Sequence, residues 1–440
     1  MSEGRQRNQT NLPIAVVGSG VAGLSAAWLL AKQGYQVQIL ESDDRPGGHS
    51  NTVTTALPGG TTVEVDTGFI VYNEATYPNL MALFDYLDVE TTETDMSFAV
   101  SNARGVEYAG RGLRGVFAQK RNLFRPGFWQ MLLDIRRFYL KVTDLDISAS
   151  ESLNDVLARE DYSDAFIHDH ILPMAAAIWS TEADDVGGMQ AMAFVKFFSN
   201  HGLLQFRDRP MWRTVVGGSR QYVKKLLAEP GIQLELGARI QHIKRKNGLV
   251  EITDAGGTRQ FSDVVMATHA DTTRELLTDP TPKETETLSH FDYTTSRAYL
   301  HTDAGLMPRT RAAWASWNYI ELYDRLCVTY WMNSLQPLGT DEPVFLTLNP
   351  EREPDIILAE FEYSHPLLNR GTAHHRQSLW HLQGNQSTWF CGAYFGDGFH
   401  EDGLQSGLAV AEAISGRSRP WDVPDPNSRI VVIPDLVRAA

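Results

Sequence analysis

The sequence predicts an α/β protein in which a parallel-sheet unit is interrupted twice by an inserted α+β portion. Two glycine-rich segments and one stretch of strand patterning between them carry that expectation. Near the N-terminus, the apolar run 14–17 leads into Gly18, Gly20 and Gly23, then into apolar residues at helical spacing and a second run that ends at Glu41. Near the C-terminus, residues 392–407 hold five glycines around a strand-to-helix passage. Residues 211–287 read as further strand and turn material. The blocks 1–90, 211–287 and 384–440 carry these patterns, and 91–210 with 288–383 lie between them.

Composition sets the outer bounds. A chain of 440 residues, 42% hydrophobic and 21% charged, is too long for one simple core. Its net charge of −15 excludes a general nucleic-acid binder, because phosphate neutralisation needs clustered Lys and Arg. Cys327 and Cys391 are the two cysteines, far apart, so no disulfide framework or zinc spacing is available and a reducing cytoplasm fits. Residues 12–31 carry no charge and match a membrane span in length, with Arg5 and Arg7 before them. The interior glycines argue instead for a strand turning into a helix. The sequence sets no oligomeric state.

Taken in order, residues 1–11 are polar and expected to be disordered. The run 14–17 is a buried parallel strand, and a helix follows from Ala22, with Leu24, Ala27, Trp28 and Ala31 on its apolar face and Gly34 as its C-cap. Residues 35–40 are a second strand. This order is that of a dinucleotide-binding unit: Gly18 permits the tight turn, Gly20 lets the backbone of Val21 and Ala22 approach a pyrophosphate, and Gly23 lets helix and strand pack closely. Glu41, followed by Ser42, is placed to accept hydrogen bonds from a ribose diol, which disfavours a 2′-phosphate. Arg45-Pro46-Gly47-Gly48-His49 comes next, its double glycine letting backbone pass close to a flat ligand, and Asp66-Thr67-Gly68-Phe69 follows.

On these segments the chain resembles the flavin-dependent amine oxidase and phytoene desaturase superfamily. The resemblance implies a Rossmann-like FAD-binding domain of the glutathione-reductase-like, amine oxidase type, made of 1–90, 211–287 and 384–440, with 91–210 and 288–383 as a substrate domain inserted twice into it. It continues downstream. Gly217-Gly218-Ser219 leads into a helix-like run, 232–243 reads as strand material that brings Ile240 to the adenine side, and 250–253, Gly256-Gly257 and 263–268 form a hairpin and a buried strand ending at Ala267-Thr268. His269 replaces the glycine that usually closes that segment. Residues 389–407 resemble the superfamily's flavin-closing motif, in which a strand reaches Gly392, an acid contacts the ribityl chain, and a helix aims its positive end at the flavin N1/C2 region. Ala393 stands where the usual acid would be, so Asp397 is the expected substitute with Glu401 second, and Asp402, Gly403, Leu404 and Ser406 complete the motif. The cofactor implied is non-covalent FAD, since neither cysteine lies in an attachment context.

Phrases such as 65–73, 77–79, 200–204, 314–318 and 398–403 also resemble a narrower group of bacterial NAD/FAD-binding flavoproteins. Their genes accompany cyclopropane-fatty-acid-synthase-type methyltransferases, and a relative desaturates methyl-branched acyl chains in furan fatty acid formation. The implied substrate is a hydrophobic small molecule or lipid acyl chain. Desaturation removes one proton and one hydride, so a base beside the flavin is required. His400, with Glu401 as orienting partner, and His49 are the candidates, while an isomerase or an amine oxidase are alternative chemistries on the same frame. Trp179, Trp314, Trp317, Tyr330 and Trp331 are candidates for lining an apolar tunnel. No metal is expected, because His168 with His170 and His374 with His375 lack a third ligand at sensible spacing. Finally, residues 111–141 hold eight basic residues, one acid and five aromatic Phe and Trp residues, a pattern that suits peripheral contact with the inner face of a membrane by an otherwise cytoplasmic protein.

Overall fold

The computed structural model describes residues 12–148, 150–179, 186–200, 202–205, 210–322, 325–367 and 370–433. The expectation for residues 1–11 lies outside them.

The N-terminal unit forms as its pattern dictates. Strand β1 (Ile14–Val17), helix α1 (Val21–Lys32) and strand β2 (Val37–Leu40) follow one another, with Gly18 at φ +100° in the turn and Gly34 at φ +96° one residue past the helix cap. The strands are buried on both faces, which is why they read as unbroken apolar runs. They sit in a five-stranded sheet ordered Ile232–Glu235, β2, β1, Asp263–Met266, Thr388–Phe390, every neighbour parallel. All three blocks of the discontinuous pattern thus contribute strands to one sheet. Helix α1 is buried along its whole length except Lys32 and packs under the C-terminal helix His400–Ser415. Small residues make that crossing close: a Cβ on Gly407 would fall 2.1 Å from the Ala22 carbonyl oxygen.

The strand expected across 232–243 resolves into two. Gly237, at φ +67°, ends the parallel strand, and His242–Lys246 instead opens an antiparallel meander with Leu249–Asp254 and Gly257–Phe261.

The remaining chain builds an α+β portion. Its seven-stranded sheet runs Ile357–Pro366, Tyr293–His301, Phe345–Leu348, Arg325–Trp331, Trp317–Leu322, Phe98–Ser101, Glu107–Ala109. Neighbours are antiparallel except Trp317–Leu322 with Phe98–Ser101, which are parallel. Helix α2 (Pro78–Tyr86) packs on the parallel-sheet side, whereas α3 (Gly112–Val116), α4 (Pro126–Lys141) and the helical segments from Leu153 to Asn200 enclose a second core around Phe138, Phe166, Phe194 and Phe198. Among the described residues, no helix is long and apolar enough to cross a membrane.

Candidate active site

The site is built outward from the glycine turn. A Cβ on Gly23 would fall 2.0 Å from the Gly18 carbonyl oxygen, and one on Gly18 would fall 2.8 Å from that of Ala267, so α1, β1 and the end of Asp263–Met266 meet backbone to backbone. Gly20, by contrast, has nothing within 4 Å of a Cβ, and α1 begins there with no side-chain cap and no acid in its first turn. An open cradle against uncapped N–H groups is an anion site in geometry and charge. Glu41 closes it from below: Oε2 accepts from the Ser19 amide (2.8 Å) and hydroxyl, and Oε1 from the Asp43 amide (3.0 Å) and the Ser42 hydroxyl (3.2 Å). The irregular segment carrying Ile240 is tied beside it, the Ala238 amide donating to the Glu41 carbonyl at 2.7 Å. Thr268 is held by a hydroxyl contact with Thr273 at 2.8 Å.

The double glycine carries the chain from this cradle toward the second domain. Gly47 (φ +109°) donates to the Ser19 carbonyl, Gly48 lies against Gly20, and Arg45 donates to the Gly48 carbonyl at 2.8 Å. His49 follows. Its carbonyl accepts the Phe69 amide at 2.7 Å, and Gly68 passes so near that a Cβ would fall 2.2 Å from the same oxygen. Thr67 reaches the Tyr363 hydroxyl at 2.7 Å, and Asn51 donates to that hydroxyl at 2.9 Å. The His49 ring then packs between Tyr363 (5.0 Å) and His365 (5.2 Å). Burial and the neighbouring histidines hold His49 well below the ordinary imidazole range, and burial lowers His365, His269 and His400 too, the last to about 3. At neutral pH these rings are uncharged bases.

One sequence expectation is corrected here, and the surroundings of Asp397, Asp402 and Asp66 are set. The pairing of His400 with Glu401 does not form, because adjacent helical residues do not face one another. His400 stacks on Phe69 at 3.8 Å and hydrogen-bonds the Tyr222 hydroxyl at 2.8 Å, which in turn contacts Ser50. Glu401 is buried and caps α2: it accepts from the backbone of Asn79 and Leu80, from the Asn79 side chain and from Gln405, at 2.9–3.0 Å. Asp397 and Asp402 differ in setting. Asp397 is exposed and ion-paired with Arg376, while the enclosed carboxylate is that of Asp402, which pairs with Arg429 and accepts the Phe399 amide. Asp66 is likewise taken up by its own chain: it accepts from the Ser219 amide and hydroxyl, the Thr52 hydroxyl and the Gln336 amide, which fixes the Gly217-Gly218 turn and leaves its pKa raised to about 6 by burial.

The rest of the motif behaves as a scaffold. The Ser406 hydroxyl accepts the Gly392 amide at 2.9 Å, Leu404 is fully buried, and a Cβ on Gly403 would press on Val21 at 2.8 Å. The aromatic residues proposed for a tunnel divide between two cores, Trp314 with Trp331 and Phe345 in one, Trp317 with Tyr330 in another. The Trp179 side chain lies outside the described residues. Tyr363 and His365 were missed by sequence reasoning. Their i, i+2 spacing in strand Ile357–Pro366 puts both on one face, which was the available signal.

The parallel sheet, the bare glycine turn and the closing helix define an FAD-dependent oxidoreductase. Two features of the chain test the fit of FAD: the open cradle at Gly20 suits its pyrophosphate, and the buried His365 Nδ1, which has no hydrogen-bond partner among the described residues, suits the polar edge of a flat ring. Residues 21–309 match the profile of the flavin containing amine oxidoreductase family, and the chain belongs to that family. A Mycobacterium tuberculosis protein named as a flavin-containing monoamine oxidase, AofH, is 26% identical over 370 residues, covering 78% of this chain and 72% of that one. The CLA-producing fatty acid isomerase of P. acnes superposes with a TM-score of 0.63 at 15% identity over 92% of this chain and 98% of its own. Cyclohexylamine oxidase of Brevibacterium oxydans gives 0.64 at 15%, over 92% and 99%.

Proposed function

We propose that the protein desaturates a fatty acyl chain or a similar apolar substrate, with residues 1–90, 211–287 and 384–440 holding FAD and 91–210 with 288–383 shaping the substrate space. The observation that carries this reading is the charge of the site wall. The imidazoles of His49, His269, His365 and His400 are all pushed toward the neutral form, and the carboxylates of Asp66, Glu401 and Asp402 are all engaged by the chain. Those three carboxylates are therefore not free to pair with an ammonium group, and Asp271 beside His269 is turned to Thr272, whereas a wall of neutral imidazoles suits a hydrocarbon. The resemblance to flavoproteins that accompany acyl methyltransferases supports the acyl assignment; the fold itself is shared by a fatty acid isomerase and by cyclohexylamine oxidase alike.

In this reading Gly18, Gly20, Val21, Ala22 and Gly23 hold the pyrophosphate, Glu41, Ser42 and Ile240 the adenosine end, and Arg45, Gly47, Gly48, Thr67, Phe69, Ala267, Thr268, Gly392, Gly403 and Ser406 the path to the ring. Bound FAD supplies a hydride acceptor. His49 is the candidate base: its ring is held in the uncharged form, and with His365 Nδ1 meeting the ring edge, His49 Nε2, which has no described partner, is the nitrogen left to face the substrate. His400 is a positioning residue, since its Nε2 is occupied by Tyr222 and its ring braces Phe69.

The experiment is anaerobic mixing of the yellow protein with methyl-branched acyl lipids and, separately, with primary amines. Bleaching by the acyl lipid is expected, slowed about 100-fold or more in His49→Asn. Bleaching by amines alone would sink the acyl reading and favour the chemistry named for AofH. Conversion of the lipid without consumption of an electron acceptor would assign an isomerase.

A further inference from the structure

Helix α4 has two apolar faces, and the core uses only one of them. Phe128, Met131, Ile135 and Phe138 recur at helical spacing and are buried in the second core. On the opposite side Trp129, Leu133, Arg136 and Leu140 recur at the same spacing and are exposed, Leu133 to 61%. The turn Lys120–Phe124 extends this stripe. Trp129 Nε1 donates to the Leu123 carbonyl at 3.0 Å, which sets Leu123 and Phe124 beside the start of α4, and Phe124 is 85% exposed. The Phe117 ring lies 5.4 Å from Trp129 and brings the end of α3 alongside, with Leu113 one turn back and 78% exposed.

Charge separates this surface from the rest of the molecule. The chain carries −15 overall, yet residues 111–141 hold eight cations and a single acid, Asp134, which is buried and bonded to Arg137 and the Ser163 amide. Among the described residues, Arg114, Lys120, Arg136 and Lys141 have no acidic partner, and Arg121 and Arg125 donate to the Gly105 carbonyl without neutralising their charge. We propose that this face docks the protein on an anionic lipid bilayer. Phe124, Trp129 and Leu133 enter the boundary between headgroups and acyl chains, α4 lies in the plane of the interface, and the cations meet lipid phosphates. A second copy of this chain is the poorer occupant, because a two-fold contact would set the same cations against themselves.

Sedimentation of the full-length, flavin-loaded protein with vesicles tests this. Vesicles of phosphatidylcholine carrying about 30% phosphatidylglycerol should retain at least about tenfold more protein than pure phosphatidylcholine, with retention falling as salt is added. The pairs Phe124→Ser with Leu133→Ser, and Arg136→Glu with Lys141→Glu, remove solvent-facing groups. Each pair should lower retention about tenfold while flavin content stays unchanged. Equal retention by both vesicle types, or retention that neither pair of substitutions lowers, overturns the proposal. So does a dimer seen by light scattering that Phe124→Ser with Leu133→Ser abolishes.

Discussion

The two helix starts that bracket the site are built by opposite means. At α1 the turn is bare backbone: Gly18, Gly20 and Gly23 leave out side chains, and what remains is a cradle and a set of N–H groups. At the C-terminal helix the turn is crowded with side chains. His400 stacks on Phe69, Glu401 reaches to α2, and Asp402 pairs with Arg429. The first start is shaped to receive a ligand, and the second to lock three parts of the chain together beside it.

The contrast is tested most severely at Gly23. Valine there drives a branched side chain into the Gly18 carbonyl, a backbone atom that cannot turn aside, so about 3 kcal/mol or more of stability should be lost together with bound FAD. The readouts are the denaturant midpoint and the ratio of flavin to protein absorbance. Retention of full flavin at normal stability would show that the close approach of α1 to β1 is dispensable.

Glu401 tests the other helix start. Its carboxylate accepts four hydrogen bonds from Asn79, Leu80 and Gln405, so Glu401→Gln replaces an acceptor with a donor facing N–H groups, at about 2 kcal/mol. The pH dependence of flavin reduction should be unchanged, because Glu401 holds α2 and does not touch His400. A shift of that profile without loss of stability would restore the pairing that adjacency in the sequence suggests.

The same contrast explains what the sequence makes legible. The dinucleotide unit is local: a strand, three glycines, a helix and an acid lie within residues 14–41, and each requirement is a backbone requirement that only certain residue types meet. The buried strand 263–266 and the hairpin of residues 249–261 follow from equally local patterns, and the closing helix from its resemblance to the superfamily motif. The partners of His49, Glu401 and Asp66 do not. Glu401 meets Asn79 across 322 positions, and Thr67 meets Tyr363 across 296. Nothing in periodicity or spacing selects such pairs. His400 and Glu401 looked coupled because they are neighbours in the chain, yet a helix turns neighbours apart. The face of residues 111–141 falls between these cases: composition showed its charge and aromatic content, but only the fold shows that α4 already has its buried face and that Phe124, Leu133 and Leu140 are additional to it.

The smallest effect expected is on acid stability, and its sign depends on which group is followed. His400 has its folded pKa lowered to about 3 from 6.5, so between those values the unfolded chain binds more protons and stability falls as pH falls. Asp66 has its folded pKa raised to about 6 from 3.8, so in that window the folded chain binds more protons and stability falls as pH rises. The two slopes oppose each other over the shared range, and the wild-type curve alone hides both. A difference isolates one. His400→Gln removes the proton that the unfolded chain would take up and leaves Asp66 in place, so the wild type should lose about 1 kcal/mol more than the variant between pH 6.5 and 5.5. Chemical denaturation at both pH values gives that difference. Parallel curves would mean that His400 can be protonated where it stands, contrary to its packing between Phe69 and the Tyr222 hydroxyl.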